Sequence, residues 1–160
     1  MTGKKIIRLS KSCLSKQEKI NVKKILEKEF LGMGPEVKKF EEELSKFFNR
    51  GVVCFNSGTA ALQVALQALG IKRGDEVLVP SLTYVASYQA ISATGAKPVI
   101  CDINLDDLQI SLNNLSKKIS KKTKAIMPVH FSGSVGKLNK LYIFAKKNKI
   151  RIIEDAAHAF

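Results

Sequence analysis

A chain of 160 residues, 45% of them hydrophobic, can bury one domain's core, and no apolar run approaches the roughly 18 residues that a membrane span needs. The formal net charge of +13 raises nucleic acid as a partner, but the excess sits in residues 1–50 (+6) and 111–160 (+9), while residues 51–110 carry −2. Lysine pairs such as Lys117-Lys118 and Lys146-Lys147 read as solvated faces and lack interleaved aromatics for stacking on bases, so neither nucleic acid nor membrane is expected as a partner.

The basic stretch from Met1 to Lys11 leads into no apolar segment and is not read as a signal peptide. A first helix is predicted from about Ser15 to Phe30 and a second from Pro35, where proline suits the first turn. Val37, Phe40, Leu44, Phe47 and Phe48 share one face of the second helix, and Leu31 to Gly34 connect the two. From Gly51 the pattern alternates. A strand is predicted at Val52 to Phe55, then a helix from Ala60 to Leu69 closed by Gly70. A strand at Glu76 to Pro80, a helix at Thr83 to Thr94 closed by Gly95, and a strand at Pro98 to Asp102 follow. Ser111 is placed to cap a helix to about Ile119, before a strand at Thr123 to Val129. Last come a helix at Lys137 to Lys149 and a strand at Ile150 to Glu154.

The division expected is a helical segment over 1–50 and, over 51–160, an α/β layer structure: a mostly parallel sheet with helices on both faces. Ligands of such sheets bind beyond the carboxyl ends of the strands. Three segments lie there: Asn56 to Thr59, Ser81 to Tyr84, and Asp155 to His158. The scattered cysteines Cys13, Cys54 and Cys101 suggest neither a disulfide framework nor a zinc site, and imply a reducing cytoplasm.

Each segment has a plain reading and a chemical one. Asn56-Ser57-Gly58-Thr59-Ala60 is either an ordinary helix cap or a phosphate seat, since open N–H groups and the helix dipole favour an anion. Glu154 and Asp155 either end a strand and cap a helix, or place a carboxylate where it holds a proton on a ring nitrogen, with Ala156 and Ala157 admitting a flat ligand. Tyr84 is either packing or a stacking surface for a planar ring. His130 is read as a satisfied polar residue. Asp102, Asp106 and Asp107 are read as a turn after a strand, and no residues suggest a metal site. A phosphate seat, an aromatic and a late carboxylate in that order describe a pyridoxal phosphate pocket.

With these residues in hand the chain resembles the DegT/StrS family of fold-type-I, pyridoxal-phosphate-dependent aminotransferases acting on sugar nucleotides. The matching stretches include Gly34-Pro35-Glu36-Val37, Ser57-Gly58-Thr59-Ala60-Ala61-Leu62, Gly74-Asp75-Glu76-Val77, Pro80-Ser81-Leu82-Thr83-Tyr84, Pro128-Val129-His130 and Glu154-Asp155-Ala156-Ala157-His158. The resemblance implies that Ser57, Gly58, Thr59 and Ala60 lie at the cofactor phosphate and that Tyr84 stacks on the pyridine. It implies further that Asp155 pairs with the ring nitrogen and that His158 stands near the phenolic oxygen. It implies a homodimer, and amine transfer from an amino acid, glutamate, to a keto sugar nucleotide for surface-polysaccharide synthesis. No lysine here matches the family's Schiff-base lysine, so no catalytic residue is assigned, and the chain by itself is expected to be inactive. Two other readings stay open: a dehydratase relative acting at the sugar 3-position, and a non-catalytic binding partner.

Overall fold

The computed structural model describes residues 12–159, which divide between Cys54 and Phe55 into two compact units. The first holds α1 (Lys16–Glu27) and α2 (Pro35–Phe48). Ser15 starts α1 by accepting the Gln17 amide at 3.1 Å, while the Glu18 carboxylate takes the Ser15 amide at 2.6 Å, a reciprocal cap. Proline opens α2, and Asn49 ends it in the left-handed conformation (φ 51°).

The expected strand at Val52 to Phe55 is not formed. The Val52 amide donates to Ser45 Oγ at 3.0 Å and the Cys54 amide to Glu41 Oε1 at 2.7 Å. Side chains of α2 thus take the donors that a neighbouring strand would need.

The second unit runs α3 (Gly58–Ala68), β1 (Glu76–Pro80), α4 (Val85–Ala93), β2 (Lys97–Cys101), α5 (Leu112–Lys118), β3 (Thr123–Ile126), a 3-10 turn at Phe131–Gly133, α6 (Leu138–Lys147) and β4 (Arg151–Ile152). All pairings in the sheet are parallel, in the order β2-β1-β3-β4. Alternation along the strands builds two cores. Val77 and Val79 of β1, with Ala125 and Met127, pack with Leu66 of α3 and Ala90 and Ile91 of α4. Leu78 and Ile126 point the other way, to Leu115 of α5 and Leu141 and Ala145 of α6. Helix, sheet and helix therefore form three layers, as expected of buried parallel strands.

Several boundaries moved for identifiable reasons. The strand expected to reach Val129 stops at Ile126 because Pro128 has no N–H to continue the ladder. The final strand shortens with it to Arg151–Ile152. Pairing resumes three residues on at a Val129–Asp155 bridge, where Asp155 N–H donates to Pro128 O at 2.9 Å and His130 N–H to Asp155 O at 3.1 Å. The helix expected from Thr83 begins at Val85, leaving Tyr84 in an extended capping position. The expected strand Pro98 to Asp102 lies one residue earlier, and Asp102 instead accepts from Asn114 Nδ2 of α5 at 2.6 Å.

Chain order places the ligand crevice. From β1 the chain moves to β2 on one side, then crosses to β3 on the other. The crevice beyond the carboxyl ends of β1 and β3 is where such sheets bind ligands.

Candidate functional site

An open cleft of about 410 Å³ lies at that crevice. Four chain segments line it: the start of α3 (Gly58, Thr59, Ala61, Leu62), the turn after β1 (Thr83, Tyr84, with Ala86), the turn after β3 (Val129, His130, Phe131) and the segment after β4 (Glu154 to His158). Five of the seven anticipated residues meet here: Gly58, Thr59, Tyr84, Asp155 and His158. Ser57 and Ala60 stand outside the lining. Ser57 Oγ accepts the Ala60 amide at 3.2 Å and so serves as the helix cap. That cap leaves the amides of Gly58 and Thr59 at the open end of α3, the donor set that suits an anion.

Asp155 is only 5% exposed. Its Oδ2 accepts from Ser87 Oγ of α4 at 2.7 Å, and its Oδ1 accepts from the Ala157 amide at 3.3 Å. Ser87 Oγ is in turn 2.6 Å from Thr83 Oγ1. Tyr84, 74% exposed, stands at the wall with its ring uncovered by protein. Carboxylate, aromatic and open helix end thus surround an apolar space lined by Leu62, Ala86, Val129 and Ala156. That donor set fits a flat, phosphorylated heteroaromatic ring.

His158 is oriented by the 3-10 turn. The Ser132 amide donates to His158 Nδ1 at 3.3 Å, and the Phe131 ring lies edge-on with centroids 6.1 Å apart. A neutral imidazole that accepts at Nδ1 carries its proton on Nε2 and is a donor there. The turn is tight enough that Ser132 adopts φ 54° and Gly133 φ 81°, and a Cβ on Gly133 would lie 3.1 Å from the His158 carbonyl oxygen.

A second network escaped the sequence. His130, 2% exposed, pairs its Nε2 with Glu154 Oε2 at 2.6 Å, and Tyr142 of α6 donates to Glu154 Oε1. The reading of His130 as satisfied holds only at Nε2, because Nδ1 is buried without a partner among the described residues. The Tyr142 hydroxyl is pushed up to about 12, first by its bond to Glu154 and then by burial. For Glu154, burial pushes the carboxyl up, but the bonds from Tyr142 and His130 outweigh it and the net direction is down from 4.5. A carboxyl that ionises more easily folded than unfolded stabilises the fold above its unfolded value, and that stability is lost as pH falls through the folded value. Glu154→Gln is therefore expected to flatten the acid side of the stability profile below pH 4.5. Thermal melts from neutral to strongly acidic pH check this. A variant profile parallel to the wild type would contradict it.

Among the described residues no lysine lines the cleft, and no group of three or more His, Cys, Asp or Glu could hold a metal. No helix among them is long and apolar enough to cross a membrane.

Residues 12–160 match the sequence model of the DegT/DnrJ/EryC1/StrS aminotransferase family. Among solved structures, DesV from S. venezuelae, crystallised in complex with a ketimine intermediate, is 37% identical with a TM-score of 0.80, over 89% of this chain and 39% of that one. A putative sugar aminotransferase from Streptococcus pneumoniae in its PMP-form is 34% identical with a TM-score of 0.90, over 96% and 43%. NtdA from Bacillus subtilis, with bound cofactor PMP, is 32% identical with a TM-score of 0.85, over 90% and 34%. The chain spans less than half the length of each of these relatives.

Proposed function

Because the chain belongs to the DegT/DnrJ/EryC1/StrS aminotransferase family, we propose that its cleft is the pyridoxal phosphate site of an enzyme that moves an amino group from an amino acid to a keto sugar nucleotide. The observation that carries this reading is the pairing of an open helix end at Gly58 and Thr59 with a buried carboxylate, Asp155, across one apolar cleft.

The bound cofactor supplies a protonated ring that draws electrons from the amino-acid carbon. The amides of Gly58 and Thr59, with the Thr59 hydroxyl, hold its phosphate. Tyr84 covers one face of the ring and excludes water. Asp155 keeps the proton at the ring nitrogen, its negative charge stabilising the cationic form. His158 donates from Nε2 toward the phenolic oxygen. Glutamate as donor, the homodimer, the cytoplasmic setting and a role in surface-polysaccharide synthesis belong to the same reading.

Titrating the chain with pyridoxal phosphate and with pyridoxal separates the two ends of the cleft. The phosphorylated form is expected to bind at least about tenfold more tightly, since only it engages the helix end by charge-assisted bonds. Equal affinity for the two would remove α3 from the site.

A further inference from the structure

We infer that Ser87, backed by Thr83, is a positioning residue that fixes which oxygen of the Asp155 carboxylate meets the cleft. The inference rests on the cofactor reading above and deepens it.

Ser87 lies within α4, fully buried, 68 positions before the residue it touches. Its place in the helix gives no local reason for a hydroxyl. Alanine is a better helix former and carries no polar group to desolvate. The hydroxyl is used at long range instead. Ser87 has one proton, and at 2.7 Å it goes to Asp155 Oδ2. Ser87 Oγ then has only lone pairs for Thr83, so Thr83 Oγ1 is the donor in their 2.6 Å contact. Thr83 stands two residues before α4 and Ser87 is the third residue of that helix, so their contact closes over the helix start. The result is a directed chain, Thr83 to Ser87 to Asp155, in which each bond polarises the next toward the carboxylate.

Two consequences follow for Asp155. Its side chain cannot swing, because Oδ2 is tied to α4 while the backbone is tied at both N–H and C=O to the Pro128–His130 segment. Oδ1, whose single bond among the described residues is a long 3.3 Å contact with the Ala157 amide, keeps acceptor capacity for a cationic N–H in the cleft. Ser87 does not itself line the cleft, and it reaches the ring nitrogen only through Asp155.

The test uses the chain with pyridoxal phosphate and pyridoxal labelled with ¹⁵N in the ring. Ser87→Ala is expected to weaken both ligands by the same factor, on the order of tenfold, because the loss is at the ring end. It is also expected to move the ¹⁵N resonance of the bound ring toward its unprotonated position. Thr83→Val keeps the Ser87 donor and is expected to shift affinity and resonance in the same direction by a smaller amount. Thermal melting identifies any variant that has merely lost its fold, and Thr83→Val then carries the comparison. Wild-type affinity and resonance in folded Ser87→Ala would overturn the inference and leave the cofactor reading standing. A larger loss in Thr83→Val than in Ser87→Ala would overturn the order of the chain. Failure of the wild-type chain to bind either ligand would overturn the cofactor reading and this inference with it.

Discussion

Leu78→Ala is expected to lower the unfolding free energy of the second unit by about 2–5 kcal/mol, the range for a large-to-small change at a packed core position. Leu78 is fully buried at the middle of β1, in register with Val99 of β2 on one side and Ile126 of β3 on the other. Its side chain belongs to the core that Leu115, Leu141 and Ala145 close from the helical layer. Two paired strands hold the backbone, so the cavity has little freedom to collapse. The loss should therefore fall in the upper part of the range. A typical domain is stable by about 5–15 kcal/mol, so the change is a large fraction of the whole. Urea unfolding followed by circular dichroism measures it. A loss below about 1 kcal/mol would mean that β1 is not the central strand of a closed core. The effect reaches function, because the same strand carries Thr83 and Tyr84 to the cleft at its carboxyl end.

Where the sequence was read correctly, the information was local. Pro35, Ser111 and the glycines after the helices set boundaries through backbone geometry, and α2 and α5 begin where those residues put them. The strands β1 and β2 announced themselves as short apolar runs bounded by turns. Reading failed where the outcome depended on a distant partner. Val52 to Phe55 has the composition of a strand, but pairing is not a property of composition, and Ser45 and Glu41 had already taken its amides. The shortened β4 depends on Pro128, in the segment that follows the neighbouring strand β3.

The site divides in the same way. Gly58, Thr59, Tyr84, Asp155 and His158 sit at strand ends or helix starts, which a strand–helix pattern predicts. Ser87 is a serine in a helix, an ordinary sight, and its partner is 68 residues away. His130 and Glu154 are 24 residues apart and meet only because β3 and β4 are neighbours. Serine at four residues after Thr83, in a helix otherwise rich in alanine and aliphatics, was the one available hint of the first network.

Asp155→Asn is expected to weaken pyridoxal phosphate binding on the order of 10–100-fold, the value of exchanging a charge-assisted bond for a neutral one in a shielded site. The substitution is nearly isosteric. Its amide oxygen can still accept from Ser87, and the two backbone bonds that place residue 155 do not involve the side chain. Stability should therefore change by less than about 1 kcal/mol. Asp155→Ala differs: it removes the charged acceptor of the fully buried Ser87 hydroxyl, leaving it only Thr83, and should cost about 1–3 kcal/mol in stability as well. The pair separates charge from shape. If charge at the ring nitrogen is what Asp155 contributes, asparagine loses affinity while keeping the fold, and the preference for the phosphorylated ligand over pyridoxal is unchanged, because that preference is set at Gly58 and Thr59. Binding by Asp155→Asn at wild-type strength would show instead that the carboxylate is a strand-end cap, the plain alternative that its place after β4 always allowed.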